Sequence, residues 1–144
     1  VIADCLNEAV RYAKERNQHG KPIAKHQLVQ EHIAMMSTEL DAARCLVYKA
    51  ACLKSKYDVD PDNSKIRSVT DRMIAEAKFF AANAAWDAAD RAVQVFGGRG
   101  YSYLFRPGRH LQDVRVCRIY EGTDEIMKLK IASAVLGKEY EAFH

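Results

Sequence analysis

The chain of 144 residues is 49% apolar and 28% charged, and its net charge is only +3. These values exclude a disordered chain, and the interspersed charges contain no dense basic block of the kind that binds nucleic acid. No apolar run reaches the length of about 20 residues that a membrane span requires. The four cysteines form no Cys-x-x-Cys pair, so they predict neither a metal site nor a disulfide framework.

Helical spacing of apolar residues begins at the first residue and predicts a helix over about residues 1–16. Because this pattern starts at Val1 rather than at Met, we expect the chain to be part of a longer protein. A break at residues 17–22 follows, where Gly20 and Pro22 are helix stop signals.

A second helix is predicted over about residues 25–56, with apolar residues at alternating steps of four and three, as in helical bundles. Its apolar stripe consists of Val29, Ile33, Met36, Leu40, Ala43, Val47 and Ala50.

A third helix is predicted over residues 64–96, with Asp62 or Asn63 as a candidate N-cap. Two apolar stripes and many alanines predict close packing on more than one side, as in a central bundle helix or one that also faces another subunit. The glycine-rich turn 97–100 ends this helix.

Two further helices are predicted at about residues 108–116 and 123–140, the second with Thr123 as its N-cap. No segment shows the alternation of a strand. Long helices joined by short turns predict an all-α fold, an up-and-down four-helix bundle, with residues 1–144 as a single domain.

Three breaks between these helices have unusual residue combinations, at residues 15–23, 94–101 and 113–123. Taken singly, each is more often an ordinary turn than a functional site. The glycine run follows a helix rather than a strand, so it is neither a dinucleotide-binding fingerprint nor a P-loop. Glu121, considered alone, is an ordinary acid near a helix start.

In combination, the three segments resemble the acyl-CoA dehydrogenase family. The C-terminal domain of that family carries an Arg-x-Gln-Phe-Gly turn, an Ala-Val-Gln-x-x-Gly-Gly-x-Gly segment and an Ile-Tyr-Glu-Gly-Thr segment, in this order. Here they are residues 16–20, 92–100 and 119–123. The resemblance covers essentially the whole chain and implies a C-terminal helical domain, with the family's N-terminal helical and middle β-domains absent from this chain.

The resemblance implies FAD-dependent α,β-dehydrogenation of an acyl-CoA thioester to the 2-enoyl-CoA. Glu121 would be the catalytic base that takes the α-proton, while the flavin accepts hydride from the β-carbon. The backbone N–H of this base and a flavin ribityl hydroxyl would polarise the thioester carbonyl. Tyr120 and Gly122 would contact the acyl-CoA.

The resemblance also implies residues that contact FAD. Two would touch the FAD of their own subunit, Thr123 and Glu125. The others would reach the FAD of a neighbouring subunit or form a further flavin contact: Arg16, Gln18, His19, Gln27, Gln94, Val95, Phe96, Gly97 and Gly98. A guanidinium, amides and a glycine backbone suit a diphosphate.

The implied partners are the acyl-CoA substrate, an electron-transfer flavoprotein as electron acceptor, and further copies of the chain in a homodimer or homotetramer. The protein would be soluble, in the cytoplasm of a bacterium or archaeon or in the mitochondrial matrix of a eukaryote. We expect this domain alone to be inactive.

Three positions depart from the family pattern. His19 stands where the family usually has Phe, and it would either stack on FAD or be an exposed turn residue. Glu125 replaces a common Gln, so an adenine contact through an amide N–H is impossible there. Leu104 stands at a usually acidic position, and we expect one local salt bridge to be missing.

Two alternatives to a dehydrogenase remain at this point. One is a helical interaction module that retained the fold without the chemistry, and the other is an acyl-CoA oxidase-like relative, which lets oxygen reach the reduced flavin. A di-iron carboxylate bundle is disfavoured, because His32 has Val29, rather than Glu, three positions before it.

Overall fold

The computed structural model describes residues 1–142, apart from the side chain of Lys138. Its helices and strands are α1 (Ile2–Glu15), β1 (Asn17–Gln18), β2 (Lys21–Pro22), α2 (Gln27–Val59), α3 (Ser64–Phe96), α4 (Arg106–Arg115) and α5 (Asp124–Leu136). Single 3₁₀ turns cover Ile23–Lys25, Gly97–Arg99, Val116–Arg118 and Lys138–Tyr140. The fold class is therefore all-α, as predicted.

The break after α1 is a small hairpin, although the sequence predicted no strand. Asn17 pairs with Pro22 and Gln18 with Lys21 in antiparallel register. His19 and Gly20 form the turn with φ values of 51° and 76°, the positive φ at both central positions that a type I′ hairpin requires. Strands of two residues are too short to show alternation, which is why the pattern was invisible.

Capping residues explain where α3 begins and where α5 ends. Of the two candidates before α3, Asn63 is the cap: its Oδ1 accepts a hydrogen bond from the backbone N–H of Ile66 at 3.2 Å. The predicted end of α5 at residue 140 is wrong, because Gly137, with φ 117°, stops the helix after Leu136.

The chain forms two compact units. Unit 1 comprises Val1–Asp41 and Asn83–Cys117, and unit 2 comprises Ala42–Ala82 and the chain from Arg118 onward. Both long helices contribute residues to each unit.

Unit 1 is built around small side chains and one aromatic stack. The rings of Tyr12 on α1 and Phe96 at the end of α3 are stacked, with centroids 4.1 Å apart. Asp4 on α1 accepts hydrogen bonds from Arg106 at 2.7 Å and from His110 at 2.6 Å, which joins α1 to α4. These contacts fix both ends of α1 within the unit.

Unit 2 has a core between α2 and α3. Ala50, Met73 and Ala77 are buried there, with Leu46 and Leu53 packed against them. Leu46, rather than the predicted Val47, joins this core, and Val47 is 43% exposed. Successive residues are about 100° apart around an α-helix, so Val47 points away from the face that Leu46 shares with Leu53, seven residues later.

Candidate functional site

Glu121 occupies a strained turn in unit 2, between the 3₁₀ turn Val116–Arg118 and α5. Its φ is 54° and that of Gly122 is 98°, so two consecutive residues have left-handed backbone conformations. For a residue with a side chain this conformation costs about 1–2 kcal/mol. A residue with a Cβ rarely adopts the φ of Gly122, and a Cβ there would also require the terminal methyl group of Met127 to shift, so glycine is favoured at this position. The surrounding contacts must therefore hold the turn in place.

Three contacts hold the turn. Lys78 on α3 donates a hydrogen bond from Nζ to the backbone carbonyl of Gly122 at 2.5 Å. Arg118 donates from Nε to Oδ2 of the buried Asp124 at 2.9 Å. Thr123 caps α5, accepting a hydrogen bond from the N–H of Ile126 at 3.3 Å, as the sequence predicted. The Glu121 side chain itself is exposed.

Glu121 lines a cleft of about 740 Å³ that lies within unit 2. Its lining includes apolar side chains of α3 and α5, among them Ile74, Met127 and Leu129. It also includes four cationic side chains, those of Arg67, Arg72, Lys78 and Lys130, and three carboxylates, those of Asp71, Glu121 and Glu141. The volume is in the range of small-molecule sites, and the lining offers a ligand both apolar and charged groups.

The other predicted residues of unit 2 surround this turn. Tyr120 is 50% exposed. Glu125 is exposed, and its pKa is lowered because its own backbone N–H, and then the Thr123 hydroxyl, donate hydrogen bonds to its carboxylate. These interactions suit the start of a helix, where negative charge is favoured.

Unit 1 holds a second group of predicted residues. Arg16, Gln18 and His19 are exposed at the end of α1 and in the hairpin, and Gln94 is exposed on α3. The N–H of Arg16 donates to the carbonyl of Tyr12 at 2.8 Å, and Tyr12 stacks on Phe96, the residue before Gly97. The hairpin and the glycine turn are therefore neighbours in unit 1.

The glycine turn presents bare backbone to solvent. Gly97 has φ 60°, and a Cβ added at Gly97 or Gly98 would meet no atom within 4 Å. Exposed amides beside a guanidinium and carboxamides fit the diphosphate of a dinucleotide. In contrast, the side chains of Val95 and Phe96 are buried in the core at 6% and 3% exposure, so these two residues can offer a ligand only backbone atoms.

The remaining predicted contacts lie near the hairpin. Gln27 is the exposed first residue of α2. The ring of His19 is edge-on to that of His26, with centroids 6.1 Å apart, and a His26 ring nitrogen lies 3.5 Å from the carbonyl oxygen of Gln18. The predicted site residues thus form two groups, one in each unit.

Sequence reasoning missed Lys78. A signal was present, since Lys78 is the only lysine between Lys65 and Lys128 and interrupts an alanine-rich apolar helix. Its partner could not be found in this way, because the carbonyl of Gly122 lies 44 residues further along the chain.

Residues 1–142 contain no group of three or more His, Cys, Asp or Glu side chains that could hold a metal ion. Within the same residues, no helix combines the length and apolar character that crossing a membrane would require.

Comparison with known proteins gives consistent matches. The family described as "Acyl-CoA dehydrogenase, C-terminal domain" matches residues 1–136. The 3-(aryl)acrylate reductase of Clostridium sporogenes is 42% identical over 131 residues, which are 91% of this chain and 32% of that protein. Subunit CarC of the caffeyl-CoA reductase–Etf complex of Acetobacterium woodii is 40% identical over 138 residues, 96% of this chain and 34% of that protein.

Among solved structures, butyryl-CoA dehydrogenase from Megasphaera elsdenii matches with a TM-score of 0.82 and 37% identity, over 94% of this chain and 33% of that one. The chain spans about a third of the length of the curated relatives that it matches.

Proposed function

The chain belongs to the acyl-CoA dehydrogenase family, whose C-terminal domain it matches, and on this premise we propose that it carries the catalytic base of an FAD-dependent acyl-CoA dehydrogenase. The observation that supports this proposal best is the placement of Glu121. An exposed carboxylate on a strained, well-anchored turn lines a cleft with apolar and charged walls. Strain of this kind persists where surrounding contacts require it, which is common at active sites.

Glu121 would remove the α-proton of an acyl-CoA thioester. An acyl chain against Ile74 and Met127 would exclude water from the cleft, which strengthens the interaction between the carboxylate and the acidic C–H bond. The backbone N–H of Glu121 would donate to the thioester carbonyl and stabilise the negative charge that develops there. FAD, when bound, would accept the hydride from the β-carbon.

The exposed groups of unit 1 would bind the FAD of a neighbouring subunit in a homodimer or homotetramer. Arg16 and Gln18 would contact the diphosphate together with the bare backbone at Gly97 and Gly98. The further FAD contacts in this proposal are those of His19, Gln27, Gln94, Thr123 and Glu125, with backbone contacts from Val95 and Phe96.

The reverse reaction is a second candidate, because two relatives are named reductases. Glu121 would then return a proton to the α-carbon of a 2-enoyl thioester. The name of the second relative also includes an Etf complex, which supports an electron-transfer flavoprotein as the redox partner. The bacterial sources of these relatives favour the bacterial cytoplasm over the mitochondrial matrix.

Anaerobic flavin reduction in the full-length protein that contains this chain tests the proposal. After bound FAD has been verified, a panel of acyl-CoA thioesters is added while the visible flavin absorbance is followed. We expect one chain-length class to bleach the flavin and Glu121→Gln to slow bleaching by about 10²–10⁴-fold, as removal of a general base does. Glu8→Gln, on α1, is the matched control and should bleach at the wild-type rate.

The other outcomes are equally informative. Bleaching that survives in Glu121→Gln would place the base elsewhere. Absence of bleaching with every thioester, together with no reoxidation by any 2-enoyl-CoA, would favour a non-catalytic helical module. Reoxidation of the reduced protein by a 2-enoyl-CoA, without bleaching by the saturated thioester, would identify a reductase. Rapid reoxidation by oxygen would identify an oxidase-like relative.

A further inference from the structure

Lys78 contacts the backbone of the turn that carries Glu121 and is itself absent from every predicted site. We propose that Lys78 is a positioning residue: its ammonium group holds the carbonyl of Gly122 and thereby keeps Glu121 in the orientation needed for proton removal. This inference rests on the proposed role of Glu121 as the base.

The contact is close and bridges distant parts of the chain. Nζ of Lys78 lies 2.5 Å from the Gly122 carbonyl oxygen, and the two residues are 44 positions apart. A hydrogen bond from a charged donor is shorter and stronger than one between neutral groups. Because Lys78 projects from α3, it connects the turn to a helix of 33 residues.

The peptide that Lys78 holds directly follows a glycine. Gly122 has no Cβ and a φ of 98°, so its own backbone preferences restrict the following peptide little. Arg118 anchors the turn through Asp124, and Thr123 anchors it through the N–H of Ile126. Those two contacts act on the start of α5, whereas Lys78 acts directly on the carbonyl between Glu121 and the cap.

Rotation of that peptide would move the catalytic groups. The Glu121 side chain and its backbone N–H belong to the same turn, so a change at Gly122 alters the direction of both. A misplacement of about 1 Å in an active site can reduce the rate about 10²-fold. Lys78 also lines the cleft beside Glu121, so its removal must be tested for an effect on ligand binding as well as on chemistry.

The test uses the full-length protein with FAD bound, and the acyl-CoA that bleaches the wild type fastest. Single-turnover flavin reduction is measured against substrate concentration and pH for Lys78→Met, which keeps the stem and removes the donor. We expect the plateau rate to fall about 10- to 100-fold at every pH, while the dissociation constant of the acyl-CoA changes less than about threefold. Lys78→Arg, which restores a donor, should recover part of the rate.

Two further variants keep the test decisive. Lys65→Met removes a lysine from the same helix outside the cleft and should match the wild type in rate, FAD content and thermal stability. Lys78→Gln replaces Lys78→Met if the latter does not fold, and should also lower the plateau rate. A mainly structural role would instead lower thermal stability and FAD content in the Lys78 variants while leaving the plateau rate per bound flavin unchanged, and would overturn the inference.

The two proposals can fail separately. If Glu121→Gln is inactive and Lys78→Met reduces its flavin at the wild-type rate, only the role of Lys78 is wrong. If the wild-type flavin is neither bleached by any acyl-CoA thioester nor reoxidised by any 2-enoyl-CoA, or if Glu121→Gln bleaches normally, Glu121 is not the acid–base residue and both proposals fall.

Discussion

At the scale of single residues, Glu121 is held in a conformation that its own backbone disfavours. A φ of 54° at a glutamate, followed by 98° at Gly122, would relax in an isolated peptide. The cost is offset by hydrogen bonds within unit 2, from Lys78 on α3 to the carbonyl of Gly122 and from Arg118 to Asp124 at the start of α5. The carboxylate is thus exposed at the cleft, while the hydrogen bond from Lys78 to the carbonyl of Gly122 holds the backbone of the turn.

In contrast to the exposed carboxylate of Glu121, the thiol of Cys5 is made unreactive by burial. It is fully buried on α1, and burial raises the pKa of its thiol from 9.0 to about 12. Its ionisation is therefore favoured in the unfolded chain. The resulting contribution to stability is fully present below pH 9 and is lost as the pH rises from 9 toward 12.

We therefore predict that iodoacetamide at pH 8.5 leaves Cys5 unmodified in the folded protein, because the thiol is protonated and enclosed. Peptide mass spectrometry would follow the modification, and the same protein unfolded in urea provides the control in which Cys5 must react. Modification of Cys5 at equal rates in the folded and unfolded protein would contradict its placement in the core.

At the scale of elements, the start of α5 depends on one hydroxyl group. Thr123 accepts a hydrogen bond from the N–H of Ile126, and its hydroxyl also contributes to the lowered pKa of Glu125. The cap lies directly after the turn of Glu121, so the beginning of the helix and the position of the turn are coupled.

Loss of this hydroxyl should destabilise the protein. We predict that Thr123→Ala lowers the free energy of unfolding by about 1 kcal/mol, the usual effect of removing an N-cap, while Thr123→Ser retains most of it. Urea unfolding is measured on the FAD-free protein, so that loss of the cap is not confused with loss of a flavin contact. Equal stability of the Ala and Ser variants would show that the cap contributes nothing.

At the scale of the whole molecule, the predicted site residues are divided between two compact units. Glu121 and its neighbours belong to unit 2, whereas Arg16, the hairpin and the glycine turn belong to unit 1. This division is what the proposed assembly requires, since unit 1 would bind the FAD of a neighbouring subunit and unit 2 would contact its own.

Arg16 provides a test of that division. We predict that Arg16→Met in the full-length protein weakens FAD binding about 10- to 100-fold, which corresponds to loss of a hydrogen bond to a charged group. Titration of the FAD-free protein with FAD measures the affinity. Arg11→Met, five residues earlier and on the exposed side of α1, is the matched control. An equal loss in both variants would indicate a general charge effect rather than a contact by Arg16.

The sequence by itself determined the features that depend on near neighbours in the chain. Apolar periodicity predicted the five helices, and Thr123 and Asn63 were recognisable as caps because a cap acts within three residues. The motif around Glu121 could also be recognised from the sequence, because residues 119–123 are continuous in the chain.

Only the tertiary structure decided which of those side chains are exposed and which contacts hold them. It placed Val95 and Phe96 in the core, formed a hairpin too short to show a pattern, and brought Lys78 to the carbonyl of Gly122. The physical reason is that propensity and capping act over a few residues. Burial, and a contact across 44 positions, depend instead on which helix faces pack together.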